Sequence, residues 1–452
     1  MRLTFLGATN TVTGSKFLLS VGQKKILIDC GLFQGMKELR HRNWTKFPIE
    51  PHLIDSVILT HAHIDHSGYL PLLVKNGFTG NIYCSSATKE LTTILLLDSG
   101  YLQEEEAKFA NKHGYTKHKP AEPLYTRADA EKSLVHLRAL EFRKSYKIDD
   151  ETHISLIPAG HILGAAFVQV KHNGTTVLFS GDLGRPHDPI MHPPAVMQAA
   201  DYLVLESTYG NRLHKKVNPM DELCEIINRT AERGGTVVIP AFAVGRAQHL
   251  LYLMYQLKLQ KRIPDLPIYL DSPMAKSATD IFRKYTDLHR LNAELSQKVC
   301  EIAKYINSRE ESQALDLETT PKIIISASGM LEGGRVLHHI RVFAPDPKST
   351  IVFAGYQAAG TRGADIINGK ESIKVFGETI EIKAEVKVLS NMSAHADYDE
   401  ILDWLSDFNH HPRKVFITHG EPEAAQSLKE KIQDKFDWEC VIPDYLQSEV
   451  LL

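Results

Sequence analysis

The chain has 452 residues, of which 43% are hydrophobic and 24% charged, and a net charge of −3. That length exceeds what one hydrophobic core sustains, so two domains are expected, in a composition ordinary for a globular enzyme. No apolar run approaches the ~20 residues of a membrane span, and near neutrality means that a polyanionic partner would need a local basic groove rather than a global field. Met1-Arg2-Leu3-Thr4-Phe5-Leu6-Gly7 turns polar too soon for a signal peptide and reads as a first strand. Five dispersed cysteines (Cys30, Cys84, Cys224, Cys300, Cys440) lack CxxC spacing, which points to reduced thiols and an expected cytoplasmic location.

In chain order, strands are expected at Arg2–Leu6, Phe17–Val21, Lys25–Asp29, Ile54–Leu59 and Asn81–Ser85. Between Lys89 and Phe142 the pattern is helical and charged, with Glu104-Glu105-Glu106 as a solvated face and Arg127–Phe142 as an amphipathic stretch. Strands resume at His153–Pro158, Ala166–His172, Thr175–Ser180 and Tyr202–Glu206. From Asn218 the style changes to helices alternating with buried strands: Gly235–Pro240, Ile268–Asp271, Lys322–Ser326 and Thr350–Ala354. That alternation predicts a parallel sheet. After about Gly369, short alternating strands return, then a helix at Tyr398–Phe408 and a strand at Lys414–Thr418. The middle therefore reads as an α/β domain inserted into one of a different style.

The densest chemistry lies in His61-Ala62-His63-Ile64-Asp65-His66, which follows the apolar run Val57-Ile58-Leu59. His61 and His63 would face one metal while Asp65 and His66 reach a second. Imidazole mixed with carboxylate suits a hydrolytic zinc-type centre better than a Cys-rich structural one. Further ligand types stand where other strands give way to loops: Asp29, His161, Asp182, His395 and His419. The turn Ser326–Gly329, after an apolar strand and before a helix, offers N–H groups and hydroxyls suited to a phosphate, and Gly355–Thr361 is a second such loop. Gly7–Ser15 lacks GxGxxG spacing and is no dinucleotide motif. His338 and His339 read as helix-face residues.

The ordered set Asp29, HxHxDH at 61–66, His161, Asp182 and His419 resembles the metallo-β-lactamase fold. Glu206-Ser207-Thr208-Tyr209-Gly210, Ser393-Ala394-His395-Ala396-Asp397 and His419-Gly420-Glu421 resemble the acid, inner His and final His of its β-CASP branch. That branch includes the nuclease subunit of the cleavage and polyadenylation factor and its bacterial and archaeal relatives. The resemblance covers essentially the whole chain. It implies an α/β fold: a metallo-β-lactamase αββα sandwich in 1–208 and 371–452, with an inserted Rossmann-like β-CASP domain in 209–370.

The same resemblance implies two Zn²⁺ ions, with Mn²⁺ also tolerated by the donor set. One would be held by His61, His63, His161 and Asp182, the other by Asp65, His66, Asp182 and His419. Asp29 would orient a ligand histidine. Asp65, Glu206 and His395 form the implied catalytic set, with His395 reaching the scissile phosphate and serving the leaving oxygen, and Glu206 holding its other ring nitrogen. The exchange of roles, with His395 as last ligand and His419 behind it, is not excluded by the order of residues in the chain, although His419 is the expected ligand. Ser326, Ser328, Gly329, Arg335, Gly360, Thr361 and His395 are the implied substrate contacts, with Arg212 and Arg246 beside them as candidate phosphate binders. The expected substrate is single-stranded RNA, the expected partners a second copy or RNA-processing proteins, and no membrane. Nothing after Tyr445 resembles the C-terminal module of the J-type relatives, so internal cleavage is expected over 5′ trimming. The alternative is a small-molecule metallohydrolase acting on a thioester, lactone or β-lactam on the same scaffold.

Overall fold

The computed structural model describes residues 1–114, 118–389 and 391–452. They divide into two compact units, Met1–Leu213 with His395–Leu452, and His214–Ala394. The first segment supplies β1 (Arg2–Phe5), β2 (Phe17–Val21), β3 (Lys24–Ile28), β4 (Ser56–Ile58), β5 (Asn81–Ser85) and β6 (Leu137–Leu140). It continues with β7 (Ser145–Lys147), β8 (Thr152–Pro158), β9 (Ala166–His172), β10 (Thr175–Phe179) and β11 (Tyr202–Glu206). The insert carries β12 (Val237–Pro240), β13 (Ile268–Asp271), β14 (Lys304–Tyr305), β15 (Ile323–Ser326) and β16 (Thr350–Phe353), then β17 (Ser372–Val375), β18 (Glu378–Glu381) and β19 (Glu385–Val388). The chain returns with β20 (Lys414–Thr418), β21 (Cys440–Val441) and β22 (Ser448–Val450).

In the first unit two seven-stranded sheets run in the orders β22-β1-β2-β3-β4-β5-β6 and β21-β20-β11-β10-β9-β8-β7. Alternation along the strands decides which side chains meet between them. Leu3, Phe5, Phe17, Leu19, Ile26, Ile28 and Ile58 of one sheet pack with Ile154, Leu156, Val168, Val170, Phe179, Val204 and Phe416 of the other. The opposite faces are covered by helices. Leu18, Leu27, Val57 and Ile82 meet Leu70, Leu73 and Leu96, while Trp404 of the helix Tyr398–Leu405 packs on Phe167 with ring centroids 5.1 Å apart. The layers are thus helix, sheet, sheet, helix.

One stretch differs from the sequence reading. Arg127–Phe142 is not a single amphipathic helix: a helix ends at Leu134, and β6 follows, pairing in parallel with β5. Only Leu137 and Leu140 of β6 are buried, at a spacing of three that fits a helix face as well as a short strand.

The insert is a six-stranded parallel sheet in the order β14-β13-β15-β12-β16-β19, with β17 and β18 as a separate antiparallel hairpin. Val237–Pro240, Ile268–Asp271, Ile323–Ser326 and Thr350–Phe353 are buried along their full length, as strands covered on both faces must be. β19 pairs with β16 and so belongs to this sheet rather than to the segment expected to return after residue 370. The unit accordingly ends at Ala394.

Candidate metal centre

The loop after β4 is clamped by backbone hydrogen bonds. Ser15 N donates to the Asp65 carbonyl at 2.8 Å, Cys30 N to that of His66 at 2.7 Å, and Leu32 N to that of Ile64 at 2.9 Å. The approach is so close that a Cβ on Gly31 would lie 1.5 Å from the Asp65 carbonyl oxygen, so only glycine fits there. Asp29 and His419 take left-handed backbone, with φ of 58° and 49°, although neither is glycine. Such strain persists only where surroundings over-determine it. For His419 the fixing contact is its N–H, bonded to the Ala8 carbonyl at 2.7 Å. His161 follows β8, Asp182 follows β10 and His419 follows β20, so strand ends of the second sheet complete the loop offered by the first.

The structure brings all seven implied ligands together. His61 Nε2 lies 3.1 Å from His63 Nδ1, which lies 3.3 Å from His161 Nε2. Asp182 Oδ2 is 3.3 Å from His61 Nε2 and 3.4 Å from His161 Nε2. Beside this group, His66 Nε2 lies 3.2 Å from His419 Nε2, and Asp65 Oδ2 is 3.5 Å from the latter. Asp182 turns its other oxygen to this second group, 3.1 Å from His66 Nε2. Donor atoms of each group converge within 4.8 Å of one another.

The chemistry of the donors fits divalent cations. Burial pushes the His61 imidazole down to about 3 and lowers those of His63 and His161, which keeps their ring nitrogens as lone-pair donors. Neutral imidazoles and a carboxylate converging at about 3 Å form a donor set that suits a divalent cation. Burial raises the Asp182 carboxyl, yet His419, His66 and His61 around it hold it well below the usual carboxylate range. His66 differs from those three: burial lowers it, but Asp182, Asp29 and Asp65 raise it well above its ordinary value. A cation taking its Nε2 would have to release that proton.

A second set of residues aims these rings. Asp29 Oδ2 sits 2.7 Å from His66 Nδ1 and is itself fixed by the N–H and hydroxyl of Thr60, at 2.7 and 2.8 Å. Thr60 Oγ1 is 3.1 Å from His61 Nδ1, and Thr208 Oγ1 is 3.1 Å from His419 Nδ1. With Nδ1 engaged, each of these rings presents Nε2 inward. Sequence reasoning missed Thr60 and Thr208; their positions one residue before His61 and two after Glu206, at strand ends, were the available signal.

His395 stands differently. Its Nδ1 is 3.0 Å from both oxygens of Glu206, and its Nε2 is 3.9 Å from Asp182 Oδ2. Glu206 is buried and fixed by the N–H groups of Leu183 at 2.6 Å and Thr208 at 3.3 Å. Burial lowers the His395 imidazole, but the Glu206 and Asp182 carboxylates outweigh it and push it up to about 9. Its side chain is 17% exposed, against 5% for His419 and 2% for His66, so it lines the opening while they are enclosed.

The implied substrate contacts on the insert gather at the carboxyl ends of its strands, but their polar atoms are engaged there. Ser326 Oγ donates to the Asp271 carbonyl, and Ser328 Oγ accepts from the N–H groups of Glu332 and Gly333. Arg335 binds Asp271 Oδ1 at 2.7 Å, and Thr361 caps the helix Arg362–Ile367 just after Gly360. Gln357 Nε2 reaches the Gly329 carbonyl at 2.9 Å, which sets the two loops side by side. Arg246 is buried at the start of its helix. In the first unit, Arg212 lies over the Tyr209 ring at 5.6 Å. His339, expected on a helix face, is fully buried between Asp271 and Asp316, at 2.8 and 2.6 Å.

Three family models match the chain: the metallo-β-lactamase superfamily over residues 12–221, the β-CASP domain over 247–366, and a Zn-dependent metallo-hydrolase RNA specificity domain over 379–443. The chain is 36% identical over 436 residues to ribonuclease TTHA0252 of Thermus thermophilus, covering 95% of each. It is 33% identical to the transcription termination factor FttA of Methanosarcina mazei, over all of this chain and 72% of that one. To integrator complex subunit 11 of Danio rerio it is 30% identical, over 98% of this chain and 73% of the other. A solved structure of a protein of unknown function from Enterococcus faecalis shares the fold, with a TM-score of 0.57 at 14% identity over 100% and 99% of the two chains. With its buried His/Asp cluster, these family models and a 36% match along 95% of both chains to ribonuclease TTHA0252, the chain belongs to the β-CASP family of metal-dependent hydrolases within the metallo-β-lactamase superfamily.

Proposed function

We propose that this protein is a ribonuclease that hydrolyses phosphodiester bonds within single-stranded RNA, using two divalent cations, zinc foremost and manganese as a compatible substitute. The observation that carries the reading is the Glu206–His395 pair at the mouth of the donor cluster. A phosphodiester needs a proton for a poorly leaving ribose oxygen, and an imidazole held by a buried carboxylate beside the donor cluster can supply one.

His61, His63, His161 and Asp182 would hold one cation, and Asp65, His66, Asp182 and His419 the other. Bound there, such ions lower the pKa of a shared water and offset the charge of a phosphoryl group. Asp182 offers one oxygen to each set and so fixes their separation. Glu206 anchors Nδ1 of His395, which leaves Nε2–H as the proton donor to the departing oxygen. Asp29, Thr60 and Thr208 keep the ligand rings from turning. Resemblance to ribonuclease TTHA0252 along nearly the whole chain supports RNA as the substrate.

The test uses zinc-loaded protein and single-stranded RNA labelled separately at each end. Internal fragments from both labels are expected. Mononucleotides released from the 5′ label alone would replace internal cleavage by exonucleolytic trimming. No cleavage by protein with measured metal content would overturn the RNA assignment.

A further inference from the structure

A chain of net charge −3 needs a local basic surface to hold RNA, and the first unit carries one. Residues Lys37–Lys46 contain Lys37, Arg40, Arg42 and Lys46 against the single acid Glu38. The helix Lys37–Arg42 buries none of its residues. Among the described residues, no ion pair or hydrogen bond engages the Lys37 or Arg40 side chain, while Lys46 pairs with Glu50 at 2.5 Å. Just beyond the helix stands Trp44, 59% exposed, with no ring, cation or hydrogen-bond partner for its indole among the described residues. An exposed aromatic among unpaired cations matches what unstacked bases on a phosphate backbone require.

The loop is built rather than loose. Asn43, buried, holds Phe33 at both backbone atoms, accepting from its N–H at 3.0 Å and donating to its carbonyl at 2.8 Å. The Arg42 guanidinium lies 4.3 Å from the Tyr445 ring centroid and 5.4 Å from that of Phe33, which presents it as a fixed plane. The loop is also continuous with the metal centre. Phe33 follows directly on Cys30–Leu32, whose N–H groups bond the carbonyls of His66, Ser15 and Ile64, and Gln34 N bonds Thr13 Oγ1 at 3.2 Å.

Resting on the ribonuclease reading, we infer that Lys37–Lys46 is a single-stranded RNA contact surface: Trp44 stacks on a base while Lys37, Arg40 and Arg42 take the flanking phosphates. Stacking tolerates every base, so this surface supplies grip without sequence preference.

Trp44 reports on its own occupancy. The chain has three tryptophans, and the other two, Trp404 and Trp438, are 6% and 7% exposed. The experiment titrates the full-length His395→Ala protein with a 12-nucleotide single-stranded RNA, following tryptophan emission together with anisotropy of a label on the RNA. Quenching that tracks the anisotropy is expected, and Trp44→Phe in the same background should abolish it. Trp44→Ala should weaken binding about tenfold, and Arg40→Glu should flatten the salt dependence of log K by about one unit per lost phosphate contact or more. Thermal unfolding of each variant establishes that the fold is intact. RNA binding without quenching, and unweakened by Trp44→Ala, would overturn this surface and leave the ribonuclease reading standing. No RNA binding by the wild-type or His395→Ala protein would overturn both.

Discussion

Replacing Glu206 by Gln keeps the shape of the side chain and removes the charge that holds His395 protonated. In the native protein, burial lowers that imidazole while Glu206 and then Asp182 raise it, for a result of about 9. At pH 7.5 the ring is then protonated by about thirty to one. An amide can still bond Nδ1, but with the Glu206 charge gone, burial is opposed chiefly by Asp182, 3.9 Å from Nε2. A return to the ordinary value near 6.5 leaves about one ring in ten protonated at pH 7.5, a change of about 3 kcal/mol in the cost of presenting the proton. The alkaline limb of kcat/KM should therefore move from near pH 9 to near pH 6.5 or below. Cleavage should fall about tenfold at pH 7.5 and little at pH 5.5, with the difference widening as pH rises. The assay is the pH–rate profile of labelled RNA cleavage between pH 5.5 and 9.5, with bound metal measured at each point. An alkaline limb that stays put, with the rate reduced equally at every pH, would refute the assignment of His395 as the proton donor.

His419→Ala should lower bound metal from two ions toward one by elemental analysis, whereas His395→Ala should retain both and lose about 10²–10⁴ of the cleavage rate; the opposite pattern would exchange their roles. Asp29→Ala frees His66 Nδ1 and should weaken metal binding about 10- to 100-fold in a competition titration with a chelator, and unchanged affinity would count against the orienting role. In the insert, His339→Gln removes the cation shared by Asp271 and Asp316 while Arg335 still pairs with Asp271, and should cost about 1.5–3 kcal/mol, read from hydrogen exchange of β13 and β15 amides. Because His339 is raised above 6.5 when folded, with Asp271 and Asp316 overcoming burial, its stabilisation is complete below pH 6.5 and is lost as pH rises through the folded value. The variant should accordingly differ most from wild type near pH 6; an equal difference at pH 6 and 10 would refute this linkage.

Much of the centre was legible because metal ligands are few in chemical type and each stands at the end of an apolar strand, where periodicity locates it. His61, His161, Asp182 and His419 could all be found that way. What holds them was not legible. Thr60 and Thr208 act through a hydroxyl that any surface threonine also carries, and the left-handed backbone of Asp29 and His419 is imposed by neighbours remote in sequence. Ser328 and Arg335 have the residue types of phosphate binders, yet local hydrogen bonds take up the hydroxyl, and Asp271 holds the guanidinium. β6 was read within a helical stretch and β19 within the returning segment because four-residue strands carry too little periodicity to declare their partners.

The position of His419 also orders events during synthesis. β20 lies beside β11, and Ser207 Oγ bonds the Thr418 carbonyl although the two residues are 211 positions apart. On a ribosome adding residues at 5–20 per second, Asp182 emerges on the order of ten to fifty seconds before His419. During that interval a nascent chain already owns every donor of the first group and lacks the last of the second. For most of it His395, too, is still unmade. The order of translation therefore arms the centre last, when the insert is already complete.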